Sequence, residues 1–165
     1  MPETLNIPKD ASKQEIYESL ISQIRALIEG EENLIANLAN VSSALHTAFQ
    51  NLWTGFYIME GNMLVLGPFQ GPIACTRIPV KPIARGVCGI AASMQKTQII
   101  PDVNKFQGHI ACSSASRSEI VVPLVDKSGI TRLVLDIDSK NLNTFDEIDQ
   151  KYCEEVIGLI QKQNF

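Results

Sequence analysis

The sequence predicts an α+β domain built on an antiparallel sheet. Three observations predict it: amphipathic helical patterns at both ends of the chain, strand-like runs between them joined by turn residues, and long glycine-, proline- or serine-rich loops. The first helix is expected between Ser12 and Gly30, where Ser12 and Glu15 make a capping box and Ile16, Leu20, Ile24, Leu27 and Ile28 share one face. A second helix follows, with Leu34, Leu38, Val41, Leu45, Ala48 and Phe49 as its apolar stripe and Glu31 and Glu32 at its positive N-terminal end.

The run TGFYIMEGNMLVLGPF then reads as a hairpin turning at Glu60-Gly61-Asn62. Between Gly67 and Gly89 the density of glycine and proline predicts irregular loops around a short strand at Cys75 to Pro79. Cys88 to Gln95 reads as a short helix, Thr97 to Ile100 as a strand stopped by Pro101, and Asp102 to Ser118 as a second long loop. Glu119 to Val125 and Thr131 to Ile137 are expected to pair through the turn Asp126-Lys127-Ser128-Gly129. Thr144 with Glu147 predicts the cap of a terminal helix that turns Ile148, Tyr152, Val156, Leu159 and Ile160 inward.

Composition narrows the function. The 165 residues, 45% hydrophobic and 19% charged, suffice for one core. Eighteen acidic against fourteen basic residues give a net charge of −4 with no basic run, which argues against nucleic acid. No apolar run approaches a membrane span and MPETLNIPKD lacks the order of a secretory signal, so a soluble cytoplasmic protein is expected. In that compartment the four cysteines are of interest for reactivity or burial rather than for structural disulfides.

The stretch GHIACSSASRSEIVVPL sets Cys112 among small polar residues, where a thiolate can be stabilised and stay accessible. His109 lies three residues before it and reads as an ordinary loop histidine. Cys75 lies in the other long loop, and Cys88 at a helix start, where the macrodipole is expected to favour its thiolate. Cys153, inside an apolar helical pattern, reads as structural. A zinc site of Cys75, Cys88, His109 and Cys112 is disfavoured because no Cys-x-x-Cys pair is present, so no metal is expected. On the last strand a period of two turns Leu133, Leu135 and Ile137 one way and Val134, Asp136 and Asp138 the other. The two aspartates read either as a solvated strand end or as a site for an ammonium group or metal ion. Glu119 taken alone reads as a solvent-facing strand start, and Trp53, the only tryptophan, as core filler or as a wall for an apolar or cationic group.

GPFQG at 67–71, ACTRIP at 74–79, GVCG at 86–89, PDV at 101–103, GHIAC at 108–112, SEIVVPL at 118–124 and LDIDS at 135–139 together resemble the GAF-domain free methionine-(R)-sulfoxide reductases. The resemblance runs from about Trp53 to the terminal helix. It implies a six-stranded antiparallel sheet flanked by helices, with residues 1–165 as a single GAF domain, 1–50 its N-terminal helices and 51–165 its sheet, loops and last helix. It further implies Cys112 as nucleophile, Cys75 as the cysteine that resolves it as a disulfide, and Cys88 as an auxiliary thiol. Glu119, Asp136 and Asp138 become the carboxyl groups that hold the substrate, and Trp53 the aromatic near its methylthio end. The implied activity is an oxidoreductase acting on free L-methionine-(R)-sulfoxide without bound cofactor, recycled by thioredoxin and working as a homodimer.

The chemistry suits these residue types. A thiolate attacks sulfur while the oxygen is protonated, and a second thiol converts the resulting sulfenic acid to a disulfide. Glu119 is the proton-donor candidate, and the aspartates, lacking a countercharge, select a free amino acid through its ammonium group. The alternative class is a noncatalytic GAF sensor for a small ligand such as a cyclic nucleotide or tetrapyrrole, expected beside an output domain. A purely structural or dimerisation domain leaves three carboxyl groups around a thiol without purpose.

Overall fold

A computed structural model describes residues 4–108 and 113–165. Its sheet has six strands, β1 (Trp53–Glu60), β2 (Met63–Gln70), β3 (Arg77–Pro79), β4 (Gln98–Ile100), β5 (Ser118–Val125) and β6 (Thr131–Ser139), in the order β3-β2-β1-β6-β5-β4. Every pairing is antiparallel, as the α+β reading expects. Helices α1 (Lys13–Ile28), α2 (Leu34–Phe49) and α4 (Glu147–Asn164) cover one face, and α3 (Gly86–Met94) packs on the other.

Side-chain alternation sorts the residues between the two faces. Phe56, Ile120, Val122, Leu124, Leu133, Leu135 and Ile137 enter the core under α1, α2 and α4. Trp53, Tyr57, Val121 and Val134 enter the second core, under α3, together with Ile78, Val87 and Cys88. Each helix is amphipathic because it buries one stripe: Leu20, Ile24 and Ile28 from α1, and Leu38, Val41 and Leu45 from α2. The capping box of Ser12 and Glu15 forms as expected. The cap of α2 is Asn33, which accepts from the Ala36 amide and was masked in the sequence by the neighbouring acids.

Several boundaries differ from the sequence reading by about two residues, as where α3 opens at Gly86 rather than Cys88, β3 at Arg77 rather than Cys75 and β6 runs to Ser139 rather than Ile137, and two further differences have a visible cause. Strand β2 continues through Gly67 and Pro68 to Gln70 because a bulge opposite Phe56 admits them without ladder donors at every position. The box of α4 is Asp146 with Asp149, two residues later than Thr144 with Glu147. Asp149 also accepts from Tyr17 Oη at 2.9 Å and from Lys13 Nζ at 2.5 Å, so contacts from α1 choose the register. Thr144 instead donates to Ser139 Oγ, and Ile148 is left 36% exposed rather than inward. Among the described residues no helix is long and apolar enough to cross a membrane.

Candidate active site

The β-ladder assembles the site. Trp53 lies opposite Asp138, Gly55 opposite Asp136 and Tyr57 opposite Val134, while on the other edge of β6 Glu119 lies opposite Asp138 and Val121 opposite Asp136. Directly opposed residues share a face, so three carboxyl groups and two aromatic rings converge beneath α3. They line a cavity of about 30 Å³ whose wall also includes Ile73, Ala74, Ser113 and Ser116.

Burial overturns the solvated readings of the acids. Glu119 is 5% exposed and Asp136 is 6% exposed, whereas Asp138 is half-buried. Loss of water, followed by the charges of Asp136 and Asp138, pushes the Glu119 carboxyl well above the ordinary range. Burial and then the charge of Asp138 do the same to Asp136. Asp138 is pushed up by burial to about 6, with a hydrogen bond from Ser116 acting in the opposite direction. No basic side chain lines the cavity among the described residues.

Trp53 serves both readings at once. It is buried, its ring stacks against Tyr57 and Phe69 at centroid distances of 5.7 and 5.3 Å, and it walls the cavity with an indole Nε1 that has no hydrogen-bond partner among the described residues. Tyr57, on the same face by the period of two, was legible beside Trp53 but was not singled out.

The cysteines divide differently from the sequence expectation. Cys88 sits in the first turn of α3, yet it is not an activated thiolate. Burial, followed by the charges of Asp136 and Glu119, pushes its thiol well above the usual value. It lies 3.2 Å from Asp136 Oδ2, to which it donates, and 3.9 Å from Glu119 Oε1. Desolvation and neighbouring negative charge outweigh the helix terminus. Cys75 is disulfide-bonded and packs against the second core, so it is not available to a zinc ion. Cys153 is a free thiol buried in the helical core beside Tyr17 Oη, as a structural residue should be. Cys112 and His109 lie outside the described residues. The flanks of that segment are anchored at the cavity: the amide of Gly86, first residue of α3, donates to Gly108 O, and Ser113 contributes to the lining.

Ser116, one of the small polar residues that follow Cys112 in the sequence, also reaches the site. Its hydroxyl donates to Asp138 Oδ1 from a position only 5% exposed. Nothing in a run of serines distinguishes it. Ser118 and Arg117 behave as scaffold, Ser118 Oγ donating to Asn141 O and the Arg117 amide to Ser139 O.

No family model matches the chain. It is 56% identical to GAF domain-containing protein A of Dictyostelium discoideum, over 97% of this chain and 99% of that protein. It is 43% identical to the free methionine-R-sulfoxide reductase of Saccharomyces cerevisiae, over 96% of this chain and 91% of the relative. Among solved structures, the free methionine-R-sulfoxide reductase of Neisseria meningitidis in complex with its substrate superimposes with a TM-score of 0.92 at 43% identity, covering 98% of this chain and 95% of that one.

Proposed function

We propose that this chain, which belongs to the family of free methionine-R-sulfoxide reductases, reduces free L-methionine-(R)-sulfoxide through a cysteine thiolate, a sulfenic acid and an intramolecular disulfide. The observation that carries the reading is the convergence of Glu119, Asp136 and Asp138 with Trp53 in one cavity, between disulfide-bonded Cys75 and the loop that follows Cys112.

In this reading the thiolate of Cys112 attacks the sulfoxide sulfur and takes its oxygen, leaving Cys112 as a sulfenic acid and releasing methionine. Glu119, kept neutral by burial, donates the proton that the oxygen needs as the sulfur–oxygen bond breaks. The Cys75 thiol then attacks the sulfenic sulfur, water departs, and the Cys75–Cys112 disulfide forms. Two electrons from an external dithiol restore both thiols. Asp136 and Asp138 receive the substrate ammonium, whose charge replaces the proton that burial otherwise forces on them, and Trp53 meets the methylthio end. A peptide-bound methionine has no such ammonium, which explains selection for the free amino acid. Cys88, a neutral thiol, serves as neither nucleophile nor resolver. Thioredoxin as reductant and a homodimer are what the family resemblance implies, and a cytoplasmic location is the expectation drawn from the sequence.

The test couples the protein to thioredoxin, its reductase and NADPH, with each methionine sulfoxide diastereomer offered free and in a peptide. NADPH consumption is expected only with the free R form, and no turnover with it overturns the reading. Cys112→Ser is expected to abolish the reaction. Cys75→Ser is expected to complete one turnover and stop with a trappable sulfenic acid, and normal cycling by that variant assigns resolution to Cys88 instead.

A further inference from the structure

In the cycle proposed above Cys88 takes no step, yet its thiol points at Asp136 and Glu119. Cys88 Sγ, one oxygen of Glu119 and one of Asp136 all lie within 4.8 Å of one another, and all three residues are buried. The two sulfur–oxygen separations, 3.2 and 3.9 Å, bracket the roughly 3.5 Å expected between sulfur and oxygen ligands of a tetrahedral ion. A second observation points to a ligand. Among the described residues Asp136 Oδ1 has no hydrogen-bond partner although its residue is only 6% exposed, and it faces a cavity whose volume suits one water-sized occupant. An ammonium group makes no use of a thiol, whereas a borderline-soft divalent ion prefers thiolate together with carboxylate.

We propose that Cys88, Glu119 and Asp136 form a three-ligand site for a divalent ion of the zinc class, with the fourth coordination position open to the cavity. Coordination displaces the thiol proton and any carboxyl protons to solvent, and no electrons move. Because the ion takes Asp136, which the substrate ammonium also needs, and occupies the proton donor Glu119 in the same cavity, the ion is an inhibitor that excludes the amino acid from the pocket. The exclusion rests on the function proposed above, while the binding of the ion does not.

Cobalt(II) is the probe, added to the oxidised protein, in which Cys75 is disulfide-bonded and Cys88 and Cys153 are the free thiols among the described residues. A thiolate-to-cobalt charge-transfer band is expected at one equivalent, displaced by zinc, absent in Cys88→Ser and unchanged in Cys153→Ala. Glu119→Gln, which leaves Cys88 in place, is expected to weaken cobalt binding at least about tenfold and controls for a folding defect in the serine variant. L-methionine should weaken cobalt binding, and N-acetylmethionine, which lacks the ammonium, should not. A folded wild-type protein without the band, or a band that survives in Cys88→Ser, overturns the site. A band indifferent to L-methionine overturns the exclusion. Sulfoxide reduction by the metal-free protein is measured separately, so failure of the site and failure of the proposed activity are told apart.

Discussion

Glu119 on β5 and Asp138 on β6 face each other directly across the ladder, two acids opposed on the buried side of a sheet. Opposed like charges destabilise a sheet unless one holds a proton or a cation sits between them. Asp138, pushed by burial from 3.8 to about 6, binds its proton more tightly in the folded chain than in the unfolded one. The stability this supplies is fully present below about pH 3.8 and is lost as pH rises through about 6. In the substrate-free protein Asp138→Asn should raise stability at neutral pH by no more than roughly 3 kcal/mol, and hardly change it near the unfolded pKa. Urea unfolding of both proteins across this range checks the difference, and a variant no more stable than wild type at neutral pH counts against a cost of burying the Asp138 charge.

Glu119→Gln keeps the shape of the side chain and removes its proton donor. Its kcat on the free sulfoxide should fall about 10²- to 10⁴-fold. In the wild type, activity should decline as pH rises through the raised pKa of Glu119, and that limb should be missing from the residual activity of the variant. A pH–rate profile of both proteins decides it, and an unchanged basic limb assigns the proton to another group.

Ser116→Ala removes the hydrogen bond that holds the Asp138 carboxyl down. The acid limb of kcat/KM, where Asp138 becomes ionised to receive the ammonium, should move to higher pH. Loss of a hydrogen bond to a charged group costs about 1.5–3 kcal/mol, so kcat/KM should fall on the order of tenfold or more. Ser116→Thr, which keeps the hydroxyl, should restore the profile, and failure to do so reduces Ser116 to a packing role.

Gly55→Ala tests the wall of the cavity. A Cβ at Gly55 would stand 2.3 Å from Phe69 Cβ, 2.8 Å from Phe69 Cα and 2.7 Å from the Trp53 ring, so the ring or the strand must shift. Overpacking of this kind costs about 1–3 kcal/mol, and displacement of Trp53 should raise KM for the sulfoxide. Gly158→Ala is the control, with nothing within 4 Å of the added methyl in the middle of α4, and should stabilise by up to about 1 kcal/mol. Equilibrium unfolding and steady-state kinetics on the two variants separate the effects.

Much of the fold was legible because its signals are local. The stripes of α1 and α2, the hairpin at Gly61 and the pairing of β5 with β6 all follow from periodicity and turn chemistry. The cap of α4 was misplaced because two overlapping segments fit the same capping pattern. A tyrosine and a lysine more than a hundred residues away selected Asp146 and Asp149. Ser116 was invisible for a similar reason, since its meaning lies in Asp138, 22 residues further on and on another strand.

The period of two on β6 was enough to place Asp136 and Asp138 on one side of the sheet, because alternation is a property of any extended chain. Which protonation states those acids and Cys88 hold was decided by the tertiary structure. Desolvation and the charges of groups brought in from β5, β6 and α3 set that balance, and neither leaves a mark in the residues immediately alongside. Cys88 shows the contrast in one side chain: its place in the first turn of a helix favours a thiolate, and burial with the two acids beneath it keeps it a thiol.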